Sequence, residues 1–362
     1  MLLNDVTLRE ADQMPGRDYS VEQKVEAGRK LDTLGVEFIQ PGFPVTGEKD
    51  REVIRRLADT CNARIAGLAR AVEKDIKATV EADADVVEVI IPISDLQLEH
   101  SLGKPRGAVT EMARETVDLV SDYGVVPHLT LIDAFRTEPE HLREMADVFD
   151  DVEYLTLADT VGSATPVSVR WLLSKLDDID LSQVGVHFHD DMGVASANVL
   201  TAYEAGIGRA DVSVASLGER AGNPAIEEIV VSGVVEYDDS FGVDESKLVP
   251  TCNGVLAALG ETDVAGPRKA VLGSEVTKHE SGIHTAAMLH DPSVFEPFDP
   301  KRFGGERRLL FGTGTGASGA STLLSRVDVR PTDARIEEFL SLLAEVGPVG
   351  ETEALELASS ID

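Results

Sequence analysis

Two histidines separated by one residue, His187 and His189, end a β-branched apolar stretch that predicts a strand over Val184–His189. Side chains two positions apart on a strand point to the same face, so both imidazoles can reach one divalent cation. Glu10, after Arg9 at the end of the first predicted strand, supplies a carboxylate as third ligand. Two histidines and a carboxylate leave open coordination positions, which is typical of catalytic sites. The simpler interpretation is a pair of structural histidines and a surface Arg9–Glu10 ion pair.

Short apolar stretches alternate with longer amphipathic ones along most of the chain. Strands are predicted at Leu3–Leu8, Val36–Gln40, Arg64–Leu68, Val86–Ile91, Val125–Leu131, Tyr154–Ala158, Val184–His189 and Ala210–Val214. Helices are predicted at Val21–Leu34, Glu48–Asp59, Glu73–Ala82, Thr110–Tyr123, Glu138–Phe149, Pro166–Leu176 and Ala195–Ala205. This repeat predicts an α/β fold of the (β/α)8 TIM-barrel type, with catalytic groups at the C-terminal ends of the strands. A doubly wound sheet is the alternative, but it usually carries a glycine-rich turn after its first strand, where this chain has the charged Arg9–Glu10.

The alternation ends near residue 270. Glycines are concentrated over Phe303–Gly319, and a closing helix is predicted from Thr332 to about Glu345. We interpret the glycine-rich run as a mobile linker rather than a phosphate-binding loop, because no clear strand precedes it. The predicted organisation is a barrel domain over 1–270 and a small, mostly helical C-terminal subdomain over 271–362 with a flexible connection.

Composition narrows the possible partners. The 362 residues are 43% hydrophobic, and 33 basic against 65 acidic side chains give a net charge of −32. This balance argues against binding of nucleic acid or anionic membranes, which need clustered cations. The acidic residues are spread over the predicted helices, which favours a halophilic origin. The only two cysteines, Cys61 and Cys252, the lack of a secretory-type start and the lack of a long apolar run predict a cytoplasmic protein.

Further motifs accompany the metal-binding pattern. They are Asp5-Val-Thr-Leu-Arg-Glu-Ala-Asp-Gln-Met-Pro-Gly16, Gly42-Phe43-Pro44, Asp159-Thr-Val-Gly162, His187-Phe-His-Asp-Asp-Met-Gly193, Gly218-Glu-Arg-Ala-Gly-Asn223 and Ser281-Gly-Ile-His284. In this order and spacing the chain resembles the DRE-TIM metallolyases, in the branch of the 2-isopropylmalate, citramalate and homocitrate synthases. The resemblance implies an acyltransferase that condenses acetyl-CoA with a 2-oxo acid and hydrolyses the thioester, giving a 2-alkylmalate in amino-acid biosynthesis.

The resemblance also implies roles for single residues. Glu10, His187, His189 and Asn223 would hold one divalent metal ion, which could be Mg, Mn, Zn or Co. Arg9 would stabilise oxyanion charge, and His284 would assist proton transfer from the C-terminal subdomain of a neighbouring subunit, in a domain-swapped homodimer. Substrate-binding positions are Gln13, Leu102, His128, Arg136 and Thr160.

Three departures from the family pattern concern catalysis. Ile132 and Gln40 replace family carboxylates, and no tyrosine follows Phe303. The acceptor of the acetyl-CoA methyl proton is therefore left open.

Substrate choice is also open at this point. Leu102 stands where homocitrate synthases place a histidine, which favours 2-oxoisovalerate or pyruvate because an unpaired buried carboxylate costs several kcal/mol. His128, at the place of an arginine in those synthases, keeps 2-oxoglutarate as an alternative. Less favoured are an HMG-CoA-lyase-like enzyme, since the expected cysteine is missing from Leu217–Gly222, and a non-catalytic metal-binding homologue. From the length we expect no leucine-regulatory domain.

Overall fold

The computed structural model describes residues 1–149 and 151–361. Eight parallel strands form a closed barrel in which neighbours along the chain pair with each other and the last strand pairs with the first. The strands are β1 (Leu2–Asp5), β2 (Phe38–Gly42), β3 (Arg64–Arg70), β4 (Val86–Pro92), β5 (Val126–Ile132), β6 (Tyr154–Asp159), β7 (Val184–Phe188) and β8 (Arg209–Val212). The predicted (β/α)8 barrel is confirmed, and the doubly wound sheet is excluded.

Helices follow each strand of the barrel. They are α1 (Thr7–Glu10), α2 (Val21–Leu34), α3 (Glu48–Ala58), α4 (Glu73–Val80), α5 (Asp95–Gln97), α6 (Arg106–Asp122), α7 (Pro139–Val148), α8 (Pro166–Leu173), α9 (Ala195–Glu204), α10 (Ile226–Tyr237) and α11 (Leu248–Leu259). Local sequence sets their ends: α2 begins at a capping box between Ser20 and Gln23 and ends at Gly35, whose φ of +95° suits glycine. No described helix is long and apolar enough to cross a membrane.

The first strand differs from its prediction. We expected a strand over Leu3–Leu8, but β1 ends at Asp5 and a single helical turn, α1, carries Arg9 and Glu10. The carboxylate of Asp5 accepts a hydrogen bond of 3.0 Å from the backbone N–H of Thr7, which turns the chain out of the sheet. Glu10 therefore enters the barrel mouth from a helical turn rather than from a strand end.

The chain divides into two compact units, Met1–Ala265 and a second unit from Gly266 onward. The second unit contains β9 (Lys278–His279), α12 (Gly282–Met288), β10 (Arg308–Phe311), α13 (Ala317–Arg326), α14 (Asp333–Val346), β11 (Val349–Gly350) and α15 (Glu351–Ser359). Its core includes Phe311, Leu323 and Phe339, all fully buried. The glycine-rich run, predicted to be a mobile linker, lies inside this unit: Gly312–Gly316 is between strand β10 and helix α13, and its mobility stays a prediction.

Candidate metal centre and substrate pocket

Glu10, His187 and His189 converge at the C-terminal end of the barrel. One ligand atom from each lies within 4.8 Å of the others, and all three residues are buried. The two imidazole rings are 4.9 Å apart and nearly perpendicular, and Nε2 of His187 lies 3.7 Å from a carboxylate oxygen of Glu10. This group is the one set of at least three His, Cys, Asp or Glu residues in the described chain with such a geometry.

Hydrogen bonds fix the orientation of both histidines. Nδ1 of His187 lies 3.0 Å from a carboxylate oxygen of Asp211, and Nδ1 of His189 lies 3.3 Å from the backbone carbonyl of Asp159. When each Nδ1 donates its proton, both Nε2 atoms keep a lone pair for a metal. Burial lowers the pKa of His189 to about 4, so this imidazole is neutral near pH 7 and able to act as a ligand.

The carboxylate of Glu10 is ionised and incompletely satisfied. Burial opposes its ionisation, but Arg9 and the two histidines hold its pKa below the ordinary value. Its Oε2 atom is buried without a hydrogen-bond partner among the described residues. A buried carboxylate oxygen without a donor is costly unless a cation occupies its other side, so the set fits a divalent metal.

Asn223 lies against the strand that carries the two histidines. Its Nδ2 donates to the carbonyl of Phe188, the residue between the two histidines, at 3.0 Å, while its buried Oδ1 has no described partner. The loop that carries it depends on Gly222, whose φ is +88° and whose Cβ would lie 1.6 Å from the carbonyl oxygen of Ser216. The amide that the resemblance places beside the metal is thus held against the histidine strand.

A polar network lies below the triad. Arg9 donates to Glu10 and to the side-chain oxygen of Gln40, and Gln40 donates to Oε2 of Glu88 at 2.7 Å. Nη2 of Arg209 donates to both oxygens of Glu88, at 3.0 and 2.9 Å. The same nitrogen lies 3.1 Å from Asp211, the partner of the histidine strand. Continuous hydrogen bonds therefore connect Arg9 with the metal-binding side of the barrel.

Charges in this network keep each other ionised. Burial would raise the pKa of Asp211, but the neighbouring Arg209 holds it well below the ordinary value. Burial would likewise lower the pKa of Arg209, and Glu88 and Asp211 raise it. The guanidinium is therefore a permanent cation inside the barrel, with two carboxylates around it.

A cavity of about 200 Å³ opens above this network. Its lining residues are Arg9, Glu10, Gln13, Leu68, Glu88, Ile90, Thr130, Ile132, Ala158, Thr160, His187, His189, Asp211 and Glu219. The walls beside the triad are mainly aliphatic, and the polar groups are concentrated around the triad and on the floor. Such a cavity suits a small molecule with one polar end and one apolar end.

Three predicted substrate-binding residues lie elsewhere. Leu102 ends a short π-helical turn and is absent from the described cavity lining, so the predicted apolar wall is formed instead by Leu68, Ile90, Ile132 and Ala158. His128 is buried below the cavity, where its Nδ1 accepts from Arg209 and its Nε2 lies 2.9 Å from Glu153. Burial lowers the pKa of this histidine.

Arg136 is also paired with another residue of the chain. Its guanidinium makes two hydrogen bonds, of 2.7 and 2.8 Å, to the carboxylate of Asp133, the residue after β5. Among the described residues it is not part of the cavity lining. Neither His128 nor Arg136 therefore offers a free cation to a substrate in this cavity.

Gln13 and Thr160, the other two residues predicted to bind substrate, both line the cavity. The hydroxyl oxygen of Thr160 accepts from the backbone N–H of Asp133 at 2.9 Å, and its carbonyl accepts from Arg220 at 2.9 Å. Arg220 also makes two 2.9 Å hydrogen bonds to Asp191. The loops that follow β6, β7 and β8 are thereby joined around the metal centre.

A buried ion pair fixes the segment after β1 and the loop after β2. Lys24 is fully buried, and its ammonium group lies 2.6 Å from Asp12 and 3.0 Å from Asp50. The second oxygen of Asp50 accepts from the backbone N–H of Phe43 at 2.9 Å. The segment that carries Gln13 and the loop after β2 are thus fixed to the helices α2 and α3.

His284 belongs to the second unit. It lies on α12, and its ring stacks on Phe295 at a centroid distance of 4.0 Å and an angle of 27°. His279 lies near it, at 6.4 Å between ring centroids. The ring therefore has an aromatic support within its own unit.

Four charged residues of the cavity and of the network below it escaped the sequence prediction: Glu88, Arg209, Asp211 and Glu219. A signal existed for the first, because Glu88 interrupts the otherwise apolar strand β4. A charged side chain inside a barrel strand is costly unless paired, so it indicates a partner on another strand.

Comparisons with known proteins agree with this geometry. Residues 1–252 match the family model described as HMGL-like, and residues 271–350 match the one described as homocitrate synthase post-HMGL domain-like. The barrel resembles the solved HMG-CoA lyase from Pseudomonas aeruginosa, with a TM-score of 0.64 over 72% of this chain and 93% of that chain. At 22% identity this likeness shows the fold alone.

Three curated relatives come from Methanopyrus kandleri. The chain is 35% identical to a homocitrate synthase, AksA, over 96% of this chain and 88% of the relative. It is 36% identical to a probable 2-isopropylmalate synthase, with 96% and 70% covered, and 37% identical to a candidate (R)-citramalate synthase, CimA, with 96% and 69% covered. These relatives confirm the predicted synthase branch and the predicted class of enzyme. The chain belongs to the HMGL-like family.

Proposed function

We propose that the protein condenses acetyl-CoA with a small 2-oxo acid and hydrolyses the resulting thioester, as a 2-isopropylmalate or citramalate synthase does. The observation that carries the proposal is the triad of Glu10, His187 and His189 at the mouth of a cavity with aliphatic walls. Its location at the C-terminal end of the strands is where barrel enzymes keep their catalytic groups.

The triad would hold one divalent ion, Mg, Mn, Zn or Co, with Asn223 beside it. Bound there, such an ion supplies Lewis acidity toward the keto group of the 2-oxo acid. The unpartnered oxygens of Glu10 and Asn223 support this assignment, since both are buried and both can accept a cation.

Arg9 is positioned to stabilise negative charge next to the triad. Its guanidinium is fixed by Glu10 and Gln40, so the cation is already oriented when the keto oxygen gains charge. Thr160 presents a hydroxyl and Gln13 an amide at the cavity mouth, and both suit the carboxylate of the 2-oxo acid.

Two groups are candidates for acceptance of the methyl proton of acetyl-CoA. His284 has this role by the family resemblance, acting from the second unit of a neighbouring subunit in a domain-swapped homodimer. Glu219 lines the cavity, and its half-exposed carboxylate lies 3.3 Å from Arg220. A carboxylate that lines the cavity is a candidate general base. We also propose that the protein forms a homodimer, is cytoplasmic and comes from a halophilic organism.

The aliphatic walls favour a short alkyl side chain on the 2-oxo acid. Each methyl group buried against Leu68, Ile90 and Ile132 gains about 1 kcal/mol. Pyruvate and 2-oxoisovalerate fit this description. The second candidate is 2-oxoglutarate, because one relative with 35% identity carries the name homocitrate synthase.

The test is release of free thiol from acetyl-CoA with pyruvate, 2-oxoisovalerate and 2-oxoglutarate in turn, in high salt with Mg or Mn. His189→Ala should remove both bound metal and turnover while circular dichroism shows an intact barrel. His100→Ala is the matched control, because its side chain is 68% exposed and outside the cavity lining. If none of the three acids supports thiol release, the proposed function is refuted. Full metal occupancy in His189→Ala would refute the assignment of the triad as the metal site.

A further inference from the structure

The floor of the cavity carries a carboxylate that belongs to none of the roles above. Glu88 lines the cavity but is only 2% exposed, because its oxygens face donors from three other strands. They accept from Thr130 at 2.5 Å, from Gln40 at 2.7 Å and from Arg209 at 2.9 and 3.0 Å. These four hydrogen bonds hold a negative charge in one place at the bottom of the pocket.

Arg209 lies directly behind this carboxylate. It is 1% exposed and absent from the described cavity lining. Its Nη2 is shared by Glu88 and Asp211, its Nη1 donates to His128, and its Nε is buried without a described partner. The guanidinium is thus a cation that Glu88 separates from the cavity.

The local charges decide what side chain the pocket can take. Glu88 and Asp211 contribute two negative charges and Arg209 one positive charge, so this group carries a net charge of −1. His128 and Arg136, the cations expected from the sequence, are occupied by Glu153 and Asp133. A second carboxylate on the substrate would therefore meet a negative floor between aliphatic walls.

We propose that Glu88 is a specificity-determining residue, which excludes dicarboxylic 2-oxo acids by covering Arg209. This inference rests on the proposed function, since it concerns the 2-oxo acid of that reaction. It predicts that the cation needed for a dicarboxylic substrate is already present and becomes available when the carboxylate is removed. Arg209 then still has Asp211 as a counter-ion, so the buried charge stays paired.

The first test is Glu88→Ala, assayed by thiol release with 4-methyl-2-oxopentanoate, oxaloacetate and 2-oxoglutarate. We expect the ratio of kcat/KM for either dicarboxylic acid to that for 4-methyl-2-oxopentanoate to rise at least about tenfold over wild type. Glu153→Gln is the control, because it changes the same network on the side of Arg64 and His128, away from the cavity. Its ratio should equal that of the wild type. An unchanged ratio in folded Glu88→Ala, or an equal rise in Glu153→Gln, would overturn the inference.

A second measurement needs no variant. Oxaloacetate and 4-methyl-2-oxopentanoate have the same number of non-hydrogen atoms, and one ends in a carboxylate where the other ends in an isopropyl group. Wild-type enzyme should prefer the branched acid by at least about tenfold. Equal or better use of oxaloacetate would refute the role of Glu88 even if Glu88→Ala did not fold. If no 2-oxo acid supports thiol release, the proposed function itself is refuted, and this inference with it.

Discussion

Replacement of Asp5 by asparagine should stabilise the protein above pH 7 and leave its stability nearly unchanged near pH 4. Asp5 is fully buried at the end of β1, where burial raises the pKa of its carboxyl group from 3.8 to about 7, with further contributions from Glu227 and Asp211. One oxygen accepts from Thr7, and the other has no described hydrogen-bond partner. Ionisation of this group is therefore unfavourable in the folded state.

Proton linkage determines how the stability contribution of Asp5 changes with pH. A carboxyl group with a raised folded pKa binds a proton in the folded state at pH values where the unfolded chain has lost it, so stability falls as pH rises from about 4 to 7. The pKa difference of about 3 corresponds to a free-energy change of about 4 kcal/mol. Asparagine keeps an oxygen for Thr7 and carries no charge. We therefore expect Asp5→Asn to gain about 2 to 4 kcal/mol of unfolding free energy at pH 8.

Urea unfolding at pH 4.5 and pH 8, at one fixed ionic strength, measures this difference. Asp59→Asn is the control, because Asp59 is exposed at the end of α3 and its loss removes one carboxylate from the surface. Its effect should stay within about 0.5 kcal/mol at both pH values. A gain for Asp5→Asn that is the same at pH 4.5 and pH 8 would refute the argument, because relief of ionisation must depend on pH.

Other expectations concern the site. Asp211→Asn should weaken metal binding about 10- to 100-fold, since His187 loses a charged acceptor; titration calorimetry with Mn measures the Kd, and an unchanged value contradicts the assigned hydrogen bond. Glu219→Gln should lower kcat for thiol release about 100-fold without a change in metal Kd if it is the base, and wild-type kcat would leave His284 as the acceptor. Mixed Arg9→Ala and His284→Ala subunits should recover part of the activity, and no recovery after proven subunit exchange argues against the domain-swapped dimer.

The periodic part of the molecule could be predicted because its signals are local. Most barrel strands are buried on both faces and contain short apolar runs, and most long helices show an apolar stripe. The metal triad was also accessible, since His187 and His189 share one face of a strand whatever the barrel geometry. Glu10 was placed correctly at the barrel mouth although its local structure is helical, because the turn at Asp5 keeps it at the same end.

The pocket could not be predicted in the same way. Which layer of the barrel interior a residue occupies depends on strand tilt and stagger, and neither can be read from one sequence. His128 and Glu88 pair in register on neighbouring strands, yet one is buried below the floor and the other forms it. Leu102 was assigned to the pocket by position in a motif, but the turn that carries it places it outside the described lining.

The burial of Lys24 should make the anchoring of the Gln13 segment less sensitive to salt than the surface ion pairs are. At molar ionic strength the screening length falls to about 3 Å, which weakens the many ion pairs on this acidic surface. Lys24 is fully buried and contacts Asp12 and Asp50 directly, so these two ion pairs are screened much less than those on the surface. The segment that carries Gln13 stays anchored while the repulsion between carboxylates on the surface around it is screened. Salt can therefore change the overall stability of the chain without loosening the loops that face the substrate.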